Sequence, residues 1–213
     1  LPNRAKEKTA TTRQGDNTMN NQNTTGTGLK TIKHEWKAAS LDPEQAAAWL
    51  RPAFGQWADA LANHDKARVT PDMLRRLATA MDAWLSVRDS MLVAALDTSV
   101  GVEGMLRISA KPRDPAVRDL ITKTLSETLE DPSAPRRADT VRTACDILAD
   151  IAGLKPAAER AGQQASIAYL LWAIDDPEAL PMAFTALVND PDVTLAAIVA
   201  SAAVRGIKPE SMR

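Results

Sequence analysis

The residues able to do chemistry are few and scattered. The two histidines, His34 and His64, have no second histidine or cysteine at the short spacing a zinc site requires. Both read as surface or helix-end residues. The single cysteine, Cys145, shares helical spacing with Val141 and Leu148. That marks a small buried hydrophobe rather than a nucleophile. Acid–base work needs paired carboxylates. Asp146 and Asp150 stand at i, i+4 and could face a cation or act as acid and base, yet the same spacing describes a solvated helix face. Asp175 and Asp176 are accounted for by helix capping. "TTGTGLK" (24–30) has glycines and a lysine but not the full phosphate-loop spacing, and no strand precedes it. "GVEG" (101–104) reads as a flexible turn. No nucleophile, base and orienting group come together, so the chain leans away from an enzyme and no cofactor or metal is expected.

Binding residues are easier to find. Arg88-Asp89 interrupts two apolar runs, "AWLSV" and "SMLVAAL". In a continuous helix one of the two must lie near the core-facing stripe, so Arg88 is expected to bond a carbonyl or a carboxylate across helices. Trp49, Trp57, Trp84 and Trp172 fall mostly at core-facing positions, and an exposed subset could line a groove for a peptide or helix. Arg88, Asp89, Tyr169 and Trp172 are the partner-binding candidates.

The elements that must position these residues are helical. Asp42, Thr70 and Asp114 each precede a proline that suits the first position of a helix. Behind them run apolar stripes at 3.6-residue spacing: Leu50, Phe54, Trp57 and Leu61; Leu74, Leu77, Met81 and Leu85; Val117, Leu120, Ile121 and Leu125. Pro52 should kink or split the first of these helices. The run over 70–97 is long, and Ser86 could cap a second piece. Residues 98–113, with Gly101, Gly104 and Pro112, read as a loop with a possible short turn. A proline-rich joint, "DPSAP", occupies 131–135. A helix over 136–152 stops at Gly153, and Pro156 opens another reaching about Asp175. Asp176-Pro177 and Asp190-Pro191 then start two more, and Gly206 and Pro209 end the second. Few stretches alternate as strands do.

The chain has 213 residues, 45% hydrophobic and 25% charged, with formal net charge −1. That is enough for a core without disulfides or metals, and the balance does not suit a nucleic-acid binder as a whole. Charge is uneven, however. Residues 1–34 carry six basic and two acidic residues; the rest carry 20 basic and 25 acidic. "GDNTMNNQNTTGTG" (15–28) has too little apolar surface to offset its ordering entropy. Residues 1–35 are therefore read as a low-complexity polar tail, disordered or extended, and 36–213 as an all-α domain with a possible sub-boundary at 98–113 or near 131–135. No secretory signal or bilayer-spanning run is visible. With the lone cysteine this suits a cytoplasmic protein with no membrane association. Leu1 in place of Met suggests a trimmed product or a piece of a longer chain.

The C-terminal stretch can be set against the tetratricopeptide pattern. With Pro191 at that repeat's terminal proline, Ala179, Ala183, Ala186 and Leu187 fall at its small and apolar second-helix positions. Gln163, Ser166 and Ile167 stand where Trp, Leu and Gly belong, so only half the pattern is met. "VRDSMLV" (87–93) and "IAYLLWAIDDPEALPMAFTALVNDPDVTLAAIVASAAVRGIKPE" (167–210) are similar to the actinobacterial domain-of-unknown-function family 4192. Here the family's acidic turn reads "IDDPEALP", without its glycine and with an extra Pro181. The resemblance implies helices and carries no activity.

These readings converge on an irregular array of antiparallel helical hairpins, tetratricopeptide-like at its C-terminal end. The function they favour is a protein–protein interaction or scaffold module holding an unknown protein partner. Nucleic-acid association through the basic tail and "RRADTVR" (136–142) stands second. A non-catalytic helical half of a larger protein, with its activity in an N-terminal domain outside this chain, stands third.

Overall fold

Residues 85–96, LSVRDSMLVAAL, contain two charged side chains, and nine of the twelve residues are buried. A helix apolar on nearly every side can only be satisfied at the centre of a fold. In the computed structural model, which describes residues 16–130 and 137–212 with side chains from residue 28 onward, that is where it lies. The helices are α1 (Asp16–Ala39), α2 (Pro43–Asn63), α3 (Pro71–Ala83), α4 (Leu85–Leu96), α5 (Gly101–Ala110), α6 (Pro115–Leu125), α7 (Ala138–Gly153), α8 (Ala161–Ala173), α9 (Ala179–Asn189) and α10 (Thr194–Val204). No strand occurs among the described residues. The central helix α4 touches α2, α3, α5, α6, α7 and α8. One hydrophobic cluster runs from Trp36 on α1 to Ala200 on α10.

Helix starts follow the sequence at two of the Asp-Pro pairs and depart from it at two. Asp42 accepts hydrogen bonds from the N–H groups of Glu44 and Gln45, both at 2.9 Å, and Asp114 accepts one from Ala116 at 2.9 Å. Asp176 and Asp190 do not cap. Each accepts from the N–H two residues on (Glu178 at 3.0 Å, Asp192 at 2.9 Å), a turn that ends before the helix begins at Ala179 or Thr194. The shift explains Pro181. It is the third residue of α9, within the first turn, where the missing N–H has no helical acceptor to lose.

Other expectations are corrected. α2 continues through Pro52, because Leu50, Ala53, Phe54 and Trp57 are buried while the proline faces outward. The break in the 70–97 run falls at Trp84, which has extended backbone and closes α3 as it opens α4. Ser86 caps nothing; its hydroxyl donates to the Ser109 carbonyl at 2.8 Å. Residues 98–113 are not a loop. They hold α5, which packs on α2 and α4 and buries Met105, Leu106 and Ile108. Pro156 leads into a short 3-10 turn at Ala157–Glu159, and α8 begins only at Ala161.

The polar tail does not extend to residue 35. α1 is helical from Asp16, and its Leu29, Ile32 and Trp36 recur at spacings of three and four, with Ile32 and Trp36 buried. That stripe anchors the last two turns of α1 to the core. The tail over 1–15 and the joint at 131–135 lie outside the described residues.

At the C-terminal end α8 packs on α7 and α9, and α10 closes against both α8 and α9. Ala165 of α8, Ala186 of α9 and Ala196 of α10 meet in one buried cluster, so small side chains let three helices approach. Ala179 and Ala183 are buried on the same helix. Two left-handed residues end helices here. Gly206 (φ 66°) follows α10, and Asp175 (φ 55°) follows α8. The Asp175 N–H donates to the Trp172 carbonyl at 3.0 Å and the Asp176 N–H to that of Leu171 at 2.9 Å, which pairs the last open carbonyls of α8.

Candidate binding groove

α4 and α8 carry the four candidate residues. Arg88 donates from Nε and Nη2 to Asp89 Oδ1, at 3.0 and 2.7 Å. The expected bond across helices is therefore replaced by one to the adjacent residue on α4. The Tyr169 hydroxyl is pushed up to about 12, first by burial and then by the charge of Asp89. The Tyr169 and Trp172 rings are 6.0 Å apart. Trp172 points elsewhere, donating from Nε1 to the Ile207 carbonyl at 2.9 Å. With Asp175, Leu180 and Lys208 it lines a separate cavity of about 220 Å³, across which Lys208 pairs with Asp175 at 2.6 Å.

Arg88 is the one candidate that lines a second groove, of about 480 Å³. α3 and α4 form one side of it through Met81, Asp82 and Leu85. The start of α8 contributes Gly162 and Gln163, and the α9–α10 turn with α10 contributes Asp190, Asp192, Leu195 and Ile198. Leu85 and Ile198 are 66% and 58% exposed, unusual for large aliphatic side chains flanking one hollow. Gln163 is only 2% exposed. Its Nε2 donates to Asp82 Oδ1 at 3.3 Å, which fixes the amide with Oε1 as the other arm. That oxygen is buried and has no hydrogen-bond donor. An acceptor left in this state costs about 1–3 kcal/mol.

Charge around the groove is one-sided. Arg88 is held by Asp89, and Lys155 by Asp82. Asp190 and Asp192, by contrast, have no ion pair among the described residues. In the sequence Asp190 reads with Pro191 as a helix start, and Asp192 carries no signal of its own. Gln163 does carry a visible signal: it is a polar residue standing where the tetratricopeptide pattern expects tryptophan. Leu85 and Ile198 carry none, since both sit in apolar runs that read as core.

The remaining candidates resolve into structure. The Asp146–Asp150 face of α7 meets Lys66, which binds Asp150 at 3.0 Å. That hydrogen bond, and the charge of both carboxylates, hold the Lys66 ammonium above its usual range against the cost of burial. Cys145 is buried, and desolvation with the charges of Asp146 and Asp176 pushes its thiol up to about 12. His64 takes the left-handed position ending α2, and His34 is exposed on α1. In the Arg-bearing stretch, Arg137 donates to the Leu96 carbonyl and Arg142 reaches Asp176 at 3.5 Å. Among the described residues no three His, Cys, Asp or Glu side chains gather as a metal site would require, and no helix is long and apolar enough to cross a membrane.

The described part of the chain is built of helices joined by turns, with no strand. No protein-family model matches it, and neither a curated protein nor a solved structure does so.

Proposed function

We propose that the protein is a protein–protein interaction module, tetratricopeptide-like at its C-terminal end, holding a segment of another protein in the groove between α4, α8 and α10. The observation that carries this reading is the groove itself: exposed Leu85 and Ile198 on its walls and a buried, donorless amide oxygen at Gln163. Its surroundings support the same reading. Of the seven exposed large hydrophobic side chains among the described residues, five lie between 184 and 207 (Phe184, Val188, Ile198, Val204, Ile207). Helices α9 and α10 contain no charged residue at all, although both present an outer face to solvent. Apolar surface concentrated in this way marks an interaction site. Nucleic-acid association gains nothing from Arg137, whose guanidinium is engaged with the Leu96 carbonyl within the fold.

The test is a peptide-display selection against the wild-type protein and a Leu85→Glu/Ile198→Glu variant. Both changes are at exposed positions, so the variant should stay folded by circular dichroism. Peptides should enrich on the wild type and be lost on the variant. A selection that enriches nothing on the wild type, or enriches the same peptides on both, sinks the proposal.

A further inference from the structure

Building on that reading, we infer that the groove is selective for a cationic segment of another protein, an extended stretch in which lysine or arginine accompanies an aliphatic residue. Three features converge on this chemistry. The one cation that lines the groove, Arg88, is already held by Asp89, and the lining carboxylate Asp82 is paired with Lys155. Asp190 and Asp192 line the same rim without a cation, so the opening presents negative charge that an incoming lysine or arginine would neutralise. One groove-lining residue keeps an orphan acceptor, Gln163 Oε1, which is itself covered in the unliganded fold. A guanidinium, an ammonium or a main-chain N–H can donate to it, whereas a carboxylate brings only more lone pairs. Leu85 and Ile198 then give an aliphatic neighbour something to cover. A volume of about 480 Å³ suits a few side chains rather than a whole helix.

Affinity measurements with capped hexapeptides test this. One series carries two leucines and two arginines, a second replaces the arginines by glutamine, a third by glutamate, and spermidine serves as a cation without a peptide chain. The arginine peptide should bind about tenfold more tightly than the glutamine peptide, with the advantage shrinking as salt rises. The glutamate peptide should not bind. Asp190→Asn/Asp192→Asn should remove most of the arginine preference. The Asp190→Asn change keeps a side-chain oxygen to accept from the N–H of residue 192, so the turn is preserved. Gln163→Met, close in volume, should weaken the arginine peptide too.

Equal binding of the arginine and glutamine peptides, lost on Leu85→Glu/Ile198→Glu, overturns the cationic preference while leaving the interaction module standing. An arginine preference unchanged in Asp190→Asn/Asp192→Asn overturns the assignment of these two carboxylates. Spermidine binding as tightly as the arginine peptide overturns the extended segment. If no hexapeptide binds while display still enriches peptides on the wild type, the cationic inference fails and the interaction module stands.

Discussion

The indole rings of Trp36 and Trp49 stand 4.9 Å apart, centroid to centroid, tilted by 47°. Trp84 meets Trp36 at the same distance edge-on. Arg76 lies over Trp49, 4.9 Å from the ring centroid, and reaches Glu35 of α1 at 3.7 Å. Together these contacts dock α1 on α2 and α3. Trp36→Ala empties the centre of the arrangement and should cost about 3–5 kcal/mol. Urea unfolding followed by circular dichroism measures the loss. Limited proteolysis should show new cleavage within 28–39 before the rest of the fold is attacked. A variant as stable as the wild type would mean α1 contributes nothing to the core.

Asp175 is held at φ 55°, a region that ordinary side chains avoid. Asp175→Gly relieves the backbone but loses the pair with Lys208, so its stability should stay within about 1 kcal/mol of the wild type. Asp175→Val keeps the strain, adds a β-branched side chain and should fall about 1–2 kcal/mol below it. The order of the two thermal midpoints is the check. Valine matching glycine would show that the turn relaxes freely.

The two raised acids set an alkaline limit. Cys145 and Tyr169 are pushed to about 12 in the fold, from ordinary values of 9.0 and 10.0. Both are held neutral when folded and ionise sooner when unfolded, so the unfolded chain binds fewer protons above pH 9. Their contribution is complete below about pH 9 and is lost progressively as pH rises toward 12. Stability should therefore decline across that window, and Cys145→Ala or Tyr169→Phe should flatten the slope. Native Cys145 should also resist a thiol reagent at pH 8 and react once denatured. Immediate reaction of the native protein would contradict the burial.

Much of this fold was legible because the signals are local. Asp42 and Asp114 cap as their sequences require, and the stripe of α2 fixes its buried face, whereas the next stripe holds at Leu77 and Met81 but not at Leu85. What stayed hidden depends on contacts distant in sequence. Asp176 and Asp190 look identical to the true caps, but α9 and α10, which pack on α8, begin only at Ala179 and Thr194. Ile32 and Trp36 were masked by the polar run beside them. Gln163 finds Asp82 across 81 positions, and no local pattern announces such a pair. The groove was illegible for the same reason, since its sides come from four helices and a turn.

Three serines join α4 to α5 in the core and allow a test of coupling. Ser86 donates to the Ser109 carbonyl, Ser109 Oγ donates to Ser90 Oγ at 3.1 Å, and Ser90 Oγ donates to the Val87 carbonyl at 2.7 Å. Ser90 and Ser109 are almost wholly buried. Ser90→Ala strands the Ser109 hydroxyl and should cost about 1–3 kcal/mol, the penalty of a buried unsatisfied group. Ser109→Ala should cost less, because Ser90 keeps its own carbonyl acceptor. With both changed, no hydroxyl is stranded, so the double variant should be more stable than the sum of the singles predicts, by about 0.5 kcal/mol or more. Strict additivity in urea unfolding would show that the hydroxyl of Ser109 finds another partner, and that the two serines act independently between α4 and α5.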